Sequence, residues 1–291
     1  MELIYLLSTS TVWLLVTVGL VSLMIGSFLN VIISRLPVML EREWKHECNE
    51  FLGNTDSTPA DTSTFNLAVP RSQCPKCGHQ ITALENIPVI SYLFMRGKCS
   101  NCRTSISLQY PLIEITTAVL SMLIAAKYGF SKETLALLLM TWTLITLFMI
   151  DAQTMLLPDN IVLPLLWLGI LLNMNGFFTS LESSVIGAVA GYLILWSLFH
   201  GFKLMTGKEG MGYGDFKLLA ALGAWGGWEI LPFVVFASSA FGAVFGISLM
   251  LIKNQKESQP MPFGPWLAMA GFVALVWHTE VVDYTRNFLM V

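Results

Sequence analysis

Long apolar runs constrain this chain more than any other feature. Eight of them stand at 11–33, 110–127, 133–150, 161–179, 183–202, 217–233, 234–252 and 263–280. A run of about 18 or more apolar residues is long enough to cross a bilayer as a helix. In lipid, a backbone that cannot bond to water must satisfy its own polar groups, which an α-helix does. Only 12% of the 291 residues are charged, about half the share of a soluble domain. The expected fold is an all-α polytopic membrane protein with about eight transmembrane helices and a polar loop domain after the first. The domain boundaries expected are 1–33 for the first helix, 34–109 for the loop domain and 110–291 for the membrane core. A net charge of −3 leaves no basic face for nucleic acid. The sixth run is the weakest span, because Gly226-Gly227 and Pro232 interrupt it and leave Lys217–Trp225 as a short helical piece.

Charge placement orients the chain. No Lys or Arg precedes the first apolar run and no Ala-x-Ala site follows it, which argues for a retained helix over a cleaved signal peptide. With an external N-terminus, the segments 34–109, 151–160, 203–216 and 253–262 are cytoplasmic. These segments and their helix ends, including Lys208 and Lys256, hold thirteen of the sixteen Lys and Arg; only Lys127, Lys132 and Arg286 fall outside. That asymmetry satisfies the positive-inside rule. The loop domain begins with a polar half that includes Glu41–Glu47 and Asn54–Thr64, partly helical and then loop-like.

Two carboxylates then stand out. Asp151 ends one apolar run, and Asp215 closes Gly212-Tyr213-Gly214 before another. Anions at the edge of a bilayer are expensive and mark candidate functional sites. The topology places both on the cytoplasmic side, where they can meet if their helices are neighbours. Two carboxylates sharing a site cannot both ionise cheaply, so one keeps its proton. The ionised one can activate water and the protonated one can polarise a carbonyl, chemistry suited to peptide hydrolysis without a metal or a covalent intermediate. Gly212 and Gly214 leave room for an extended peptide beside Asp215. The competing readings are structural. Asp151 can be a solvated helix end, Asp215 can cap a helix starting near Phe216, and Asp159 in Leu156-Leu157-Pro158-Asp159-Asn160 reads as an N-cap. Glu114 lies inside the second run and either faces the bundle interior or pairs with a cation. Glu209 reads as solvated loop, and His200 and His278 as helix-end residues.

Cys74-x-x-Cys77 and Cys99-x-x-Cys102 are two knuckles separated by 21 residues, a pattern that suits tetrahedral Zn²⁺ with two thiolates from each turn. A closed four-thiolate site is structural. Unliganded thiols or a redox pair are the alternatives. His79 is superfluous if all four cysteines bind, and Cys48 reads as a free thiol.

The ordered set of these features resembles the type IV prepilin peptidases, bifunctional leader peptidases and N-methyltransferases. It comprises Gly26–Pro37 with Asn30 and Arg35, the two knuckles with Asn86–Leu93 and Arg96-Gly97 between them, and Tyr110–Glu114. It continues with Asp151, Leu157-Pro158-Asp159, Gly212–Lys217 and Pro262–Pro265. The resemblance implies a bacterial inner-membrane aspartic endopeptidase with Asp151 and Asp215 as its catalytic pair. Its substrates would be prepilins and pseudopilins, cut on the cytoplasmic side to remove a basic leader. It also implies methylation of the new N-terminus from S-adenosylmethionine. No dinucleotide-type glycine motif or doubly wound domain is present to hold that donor, and the candidates for its site are Gly26–Pro37, through Asn30 and Arg35, and Glu114. The rival functions are a proton- or ion-coupled transporter and a scaffold of a secretion apparatus. Asp residues gathered at one face rather than the midplane count against the transporter.

Overall fold

The structure, a computed structural model, describes residues 2–53, 64–207, 210–253 and 261–289. Residues 54–63 of the polar loop, Lys208, Glu209 and Lys256 lie outside the described residues. The described chain is helical, with two isolated antiparallel bridges, Gln73 with Gln80 and Lys98 with Ser105. It divides into a unit of residues 1–134 and a unit of residues 135–291.

In the first unit, α1 (Glu2–Thr9) breaks at Ser10 and α2 (Thr11–Phe51) follows. The first apolar run therefore continues as helix well past residue 33, into the polar Glu41–Glu47 stretch. A short helix α3 (Ile90–Phe94) lies between the knuckles, and α4 (Gln109–Tyr128) follows them. The helices α2 and α4 pack antiparallel along small side chains. Gly19 lies against Met122, and Gly26 against Glu114 and Thr117; a Cβ on Gly26 would stand 2.7 Å from the Glu114 Cα. Small residues allow such close approach where lipid offers no hydrophobic drive for association.

The second unit contains α5 (Lys132–Thr154), whose first residues fall at the division, α6 (Asp159–Asn173), α7 (Leu181–Thr206) and α8 (Tyr213–Gly226). A 3₁₀ turn at Trp228–Ile230 leads into α9 (Leu231–Lys253), followed by α10 (Gly264–Val276) and α11 (His278–Leu289). The centre is α8, which buries every residue from Asp215 to Gly226 except Lys217. A helix apolar on all faces requires partners all round, and α6, α7 and α10 supply them. Gly187 and Gly223 bring the backbones of α7 and α8 into contact, and Gly191 sits on Leu219.

Trp225 is fully buried and its indole N–H donates to the Leu165 carbonyl at 2.8 Å. Asn173 closes the other end of the α6–α8 contact. Its amide donates to Ala224 O and Trp225 O, both at 2.9 Å, while its side-chain oxygen accepts from Phe178 N and Thr179 N. One buried side chain thus uses its full amide capacity and covers carbonyls that the end of α8 leaves without helical partners.

Helix lengths differ from the expected eight spans. Among the described residues, five helices are long and apolar enough to cross a membrane, and six if α10 and α11, bent by 97°, count as one broken span. The run 161–179 yields only 15 helical residues, because the chain turns at Asn175-Gly176 after Asn173. The run 217–233 yields 14, beginning at Tyr213 and ending where Gly227 takes a φ of +81°. At 1.5 Å per residue each is about 20 Å long, short of the roughly 30 Å hydrocarbon core. Short helices at membrane depth are tolerated when protein covers them, as it covers α8. The long spans, by contrast, turn apolar side chains outward, among them Met24, Phe236 and Ile247. This is the surface of a multi-pass membrane protein.

Candidate active site

Asp151 occupies the last turn of α5 and Asp215 the first turn of α8, and they are 5% and 6% exposed. After Asp151 the chain leaves the helix through Met155, whose φ is +55° and whose N–H returns to the Asp151 carbonyl at 2.9 Å. Leu156–Pro158 then carries it to α6. At the other carboxylate the helix begins at Tyr213 with Gly212 as its extended N-cap. Asp215 is therefore inside the first turn, and the capping role open to it in the sequence is not the one formed.

The two aspartates are brought together. Asp215 lies within Coulombic reach of Asp151. Leu157 packs between Gly214 on one side and Gly264 on the other. Gly264, the first residue of α10, lies directly against the Asp151 carboxylate. A Cβ at Gly264 would lie 2.6 Å from Asp151 Oδ2, so only glycine admits this approach. One oxygen of each carboxylate, Asp151 Oδ2 and Asp215 Oδ1, is buried without a partner among the described residues. Unpaired buried acceptors are costly, and a shared proton or a polar reactant between two carboxylates removes that cost.

The glycines before Asp215 divide in role. Gly212 is open: a Cβ there would come no nearer than 4.0 Å to the Asp215 carboxylate. Gly214 is not, because a Cβ would stand 2.7 Å from that of Leu157. The missing side chain at Gly214 makes room for Leu157 rather than for a peptide. Asp159 differs from its reading as a cap. Pro158 holds that position, and the Asp159 carboxylate accepts from Lys217 Nζ at 2.7 Å through both oxygens. Of the helix-end histidines, His278 meets the Gly226 carbonyl at 2.9 Å and His200 meets Trp196 O at 2.9 Å.

In the first unit the four knuckle cysteines converge, their sulfurs all within 4.8 Å of one another. Cys74 and Cys102 are 3.8 Å apart and Cys77 and Cys99 are 4.0 Å apart. Tetrahedral zinc at a Zn–S distance of 2.3 Å requires sulfurs about 3.8 Å apart, so the donor set fits. The Cys102 thiol meets the Thr104 hydroxyl at 3.3 Å. Thr104, through this contact and then its backbone, brings the Cys102 pKa down to about 6, while, against a hydrogen bond from the His79 backbone, burial among the neighbouring thiols pushes Cys77 up to about 11. His79 is not among the ligands. Its Nε2 sits 3.3 Å from Glu85 and 3.2 Å from the Ser100 hydroxyl, bracing one knuckle against the other. Hydrogen bonds from Ser100 and Thr82 hold the Glu85 carboxyl low, at about 2. Cys48 is exposed and stands apart from the cluster.

A cavity of about 580 Å³ lies between the α2–α4 pair and the knuckle loop, and Asn30, Arg35 and Glu114 all line it. Each has a structural bond as well. The Asn30 amide donates to Tyr110 O at 3.2 Å, while its Oδ1 is buried without a partner among the described residues. Arg35 donates to Asn66 O at 2.9 Å and Pro70 O at 2.6 Å. Glu114 accepts from the N–H of Val89 at 2.8 Å. Val89 has a φ of +59°, a conformation that β-branched residues rarely take, so Glu114 holds a strained turn at the cavity wall. Asn173, Gly264 and Val89 carried no recognised role in the sequence. The Asn86–Leu93 and Pro262–Pro265 motifs marked the places of Val89 and Gly264, and nothing marked Asn173.

These features define a class: a multi-pass helical membrane protein with paired buried aspartates in one unit and a four-cysteine cluster in the other. The chain belongs to the type IV leader peptidase family. The type IV leader peptidase family model matches residues 138–247, and that of the bacterial peptidase A24 N-terminal domain matches residues 20–128. Proteins named prepilin leader peptidase/N-methyltransferase are similar over nearly the whole chain. That of Aeromonas hydrophila is 57% identical over 273 residues, 94% of each chain. That of Pseudomonas aeruginosa is 51% identical over 98% of this chain and 96% of its own. The Neisseria gonorrhoeae protein is 49% identical over 90% of each. No solved structure matches this chain.

Proposed function

We propose that this protein is a membrane aspartic endopeptidase that removes the leader from prepilins and then methylates the new N-terminal amine from S-adenosylmethionine. The observation that carries the reading is the Asp151–Asp215 pair, buried at two helix ends with one unpaired oxygen on each. In the mechanism, one aspartate is ionised and takes a proton from the attacking water. The other is protonated and donates to the scissile carbonyl oxygen. Collapse of the tetrahedral intermediate returns a proton to the leaving amine. Gly264, lacking a side chain, leaves room for the Asp151 carboxylate, and Gly212 is the open side on which an extended peptide can lie.

The enzyme works in the bacterial inner membrane, with segment 34–109 forming a cytoplasmic domain and 110–291 the membrane core. The short helices α6 and α8 occupy the bilayer within protein cover, so that the eight apolar runs are retained. Its substrates are prepilins of type IV pili and pseudopilins of type II secretion. The four cysteines would hold a structural zinc ion, which fixes the knuckle loop and takes no part in proton transfer. Asn30, Arg35 and Glu114 line the cavity assigned to the methyl donor. The unpaired Asn30 oxygen supports that assignment, since it offers an acceptor to a bound molecule.

The test is incubation of a purified prepilin with the detergent-solubilised enzyme, with and without S-adenosylmethionine, followed by mass measurement. The product is expected to lose its leader in both cases and to gain one methyl group only with the donor. Glu114→Gln is expected to retain cleavage and to lower methylation about tenfold or more, the range for loss of a charged hydrogen-bonding group. Intact precursor with the unaltered enzyme would reject the peptidase reading, and full methylation by Glu114→Gln would reject the cavity assignment. Gly264→Ala tests the approach to Asp151. Its Cβ must displace the carboxylate, and a misplacement of this size lowers cleavage by about 10²-fold; an unchanged rate would show that the contact is dispensable.

A further inference from the structure

The link between the two aspartate-bearing helices is pinned at more points than a connecting loop needs. Between Asp151 and α6 the chain passes through the left-handed Met155, and Leu157 is then clamped between Gly214 and Gly264. Two residues later Asp159 takes both its carboxylate oxygens to Lys217 Nζ at 2.7 Å. Lys217 itself stands two residues after Asp215. Residues at that spacing leave a helix on different faces, so Lys217 turns away from the buried Asp215 and its charge is engaged by Asp159. The ion pair is partly exposed, at 30% for Lys217 and 54% for Asp159. Pairs so exposed add little to stability, so a stabilising role alone accounts poorly for a bidentate contact at this place.

We infer that Leu157 and the Asp159–Lys217 pair form a strap that fixes the spacing of Asp151 and Asp215, which makes Asp159 and Lys217 positioning residues for peptide cleavage. The inference rests on the aspartate pair being the peptidase centre. The strap joins the residue eight positions after one aspartate to the residue two positions after the other. When it opens, the start of α6 is free to move against α8, and the distance between the carboxylates moves with it. Neither residue touches the reacting atoms.

Two measurements test this on the full-length protein in detergent. In steady-state cleavage, Asp159→Asn and Lys217→Met are each expected to lower kcat about tenfold while leaving KM within about twofold, as misalignment of a catalytic group does. The charge-reversed double variant Asp159→Lys/Lys217→Asp is expected to recover most of that loss. A rise in KM at unchanged kcat would assign the pair to substrate binding and overturn the inference, as would failure of the reversed pair to recover. The second measurement does not depend on activity. In Asp151→Cys/Asp215→Cys, the yield of the 151–215 disulfide, identified by peptide mass, reports the spacing directly. Adding Lys217→Met is expected to lower that yield severalfold, and an unchanged yield would overturn the strap. A lowered yield in a protein whose Asp151→Asn variant still cleaves would retain the strap and reject the peptidase assignment instead.

Discussion

Replacing either Asp151 or Asp215 by Asn lowers leader cleavage by about 10² to 10⁴-fold, the contribution expected of a positioned general acid or base. Asparagine keeps the shape of the side chain and removes its capacity to exchange a proton. Both side chains are buried and each leaves one oxygen without a partner among the described residues, so the amide does not break a native ion pair. The variants should therefore fold, and their loss should appear in kcat rather than in expression. Circular dichroism and zinc content are expected to match those of the unaltered enzyme. Full cleavage by either variant would remove that residue from the catalytic pair.

Replacing Cys74 by Ala has the largest expected effect on structure. The sulfurs of Cys74, Cys77, Cys99 and Cys102 are the one cluster of metal-ligating groups found among the described residues. The loop around them has two isolated bridges, and Cys99 is its single buried apolar side chain. A loop with so little core would depend on a metal held by these cysteines, whose binding free energy would serve as folding free energy. Loss of one ligand is expected to reduce zinc from one ion per chain to nearly none in elemental analysis. Backbone amides across residues 72–106 should then exchange with solvent at least about tenfold faster, as local unfolding free energy falls by more than about 1.4 kcal/mol. Unchanged zinc content in this variant would refute the four-cysteine site.

What could be read in the sequence was what depends on neighbours along the chain. The run 110–127 became α4 at Gln109–Tyr128, because its apolar residues are bounded by a polar loop and by Gly129. The break at Gly226-Gly227 was visible for the same reason. The two knuckles announce their cluster through spacing alone. What could not be read depends on partners distant in sequence. Asp159 looks like an N-cap beside Pro158, and its actual partner lies 58 residues downstream. Gly214 looks like room for a substrate, and Leu157 fills that room. Hydropathy counts α6 and α8 as spans, because it measures how apolar a run is and not where the helix within it stops. The positions of Asn173 and Gly264 are set by α8 and by Asp151, neither of which is near them in the chain.

In this mechanism Asp151 and Asp215 act as one unit, and the kinetics of the double variant test that most directly. If the pair shares one reaction, the Asp151→Asn/Asp215→Asn protein cleaves a prepilin no more slowly than the poorer of the two single variants, because removing either member already disables both. If the two losses multiply instead, each aspartate acts independently and the paired mechanism is wrong.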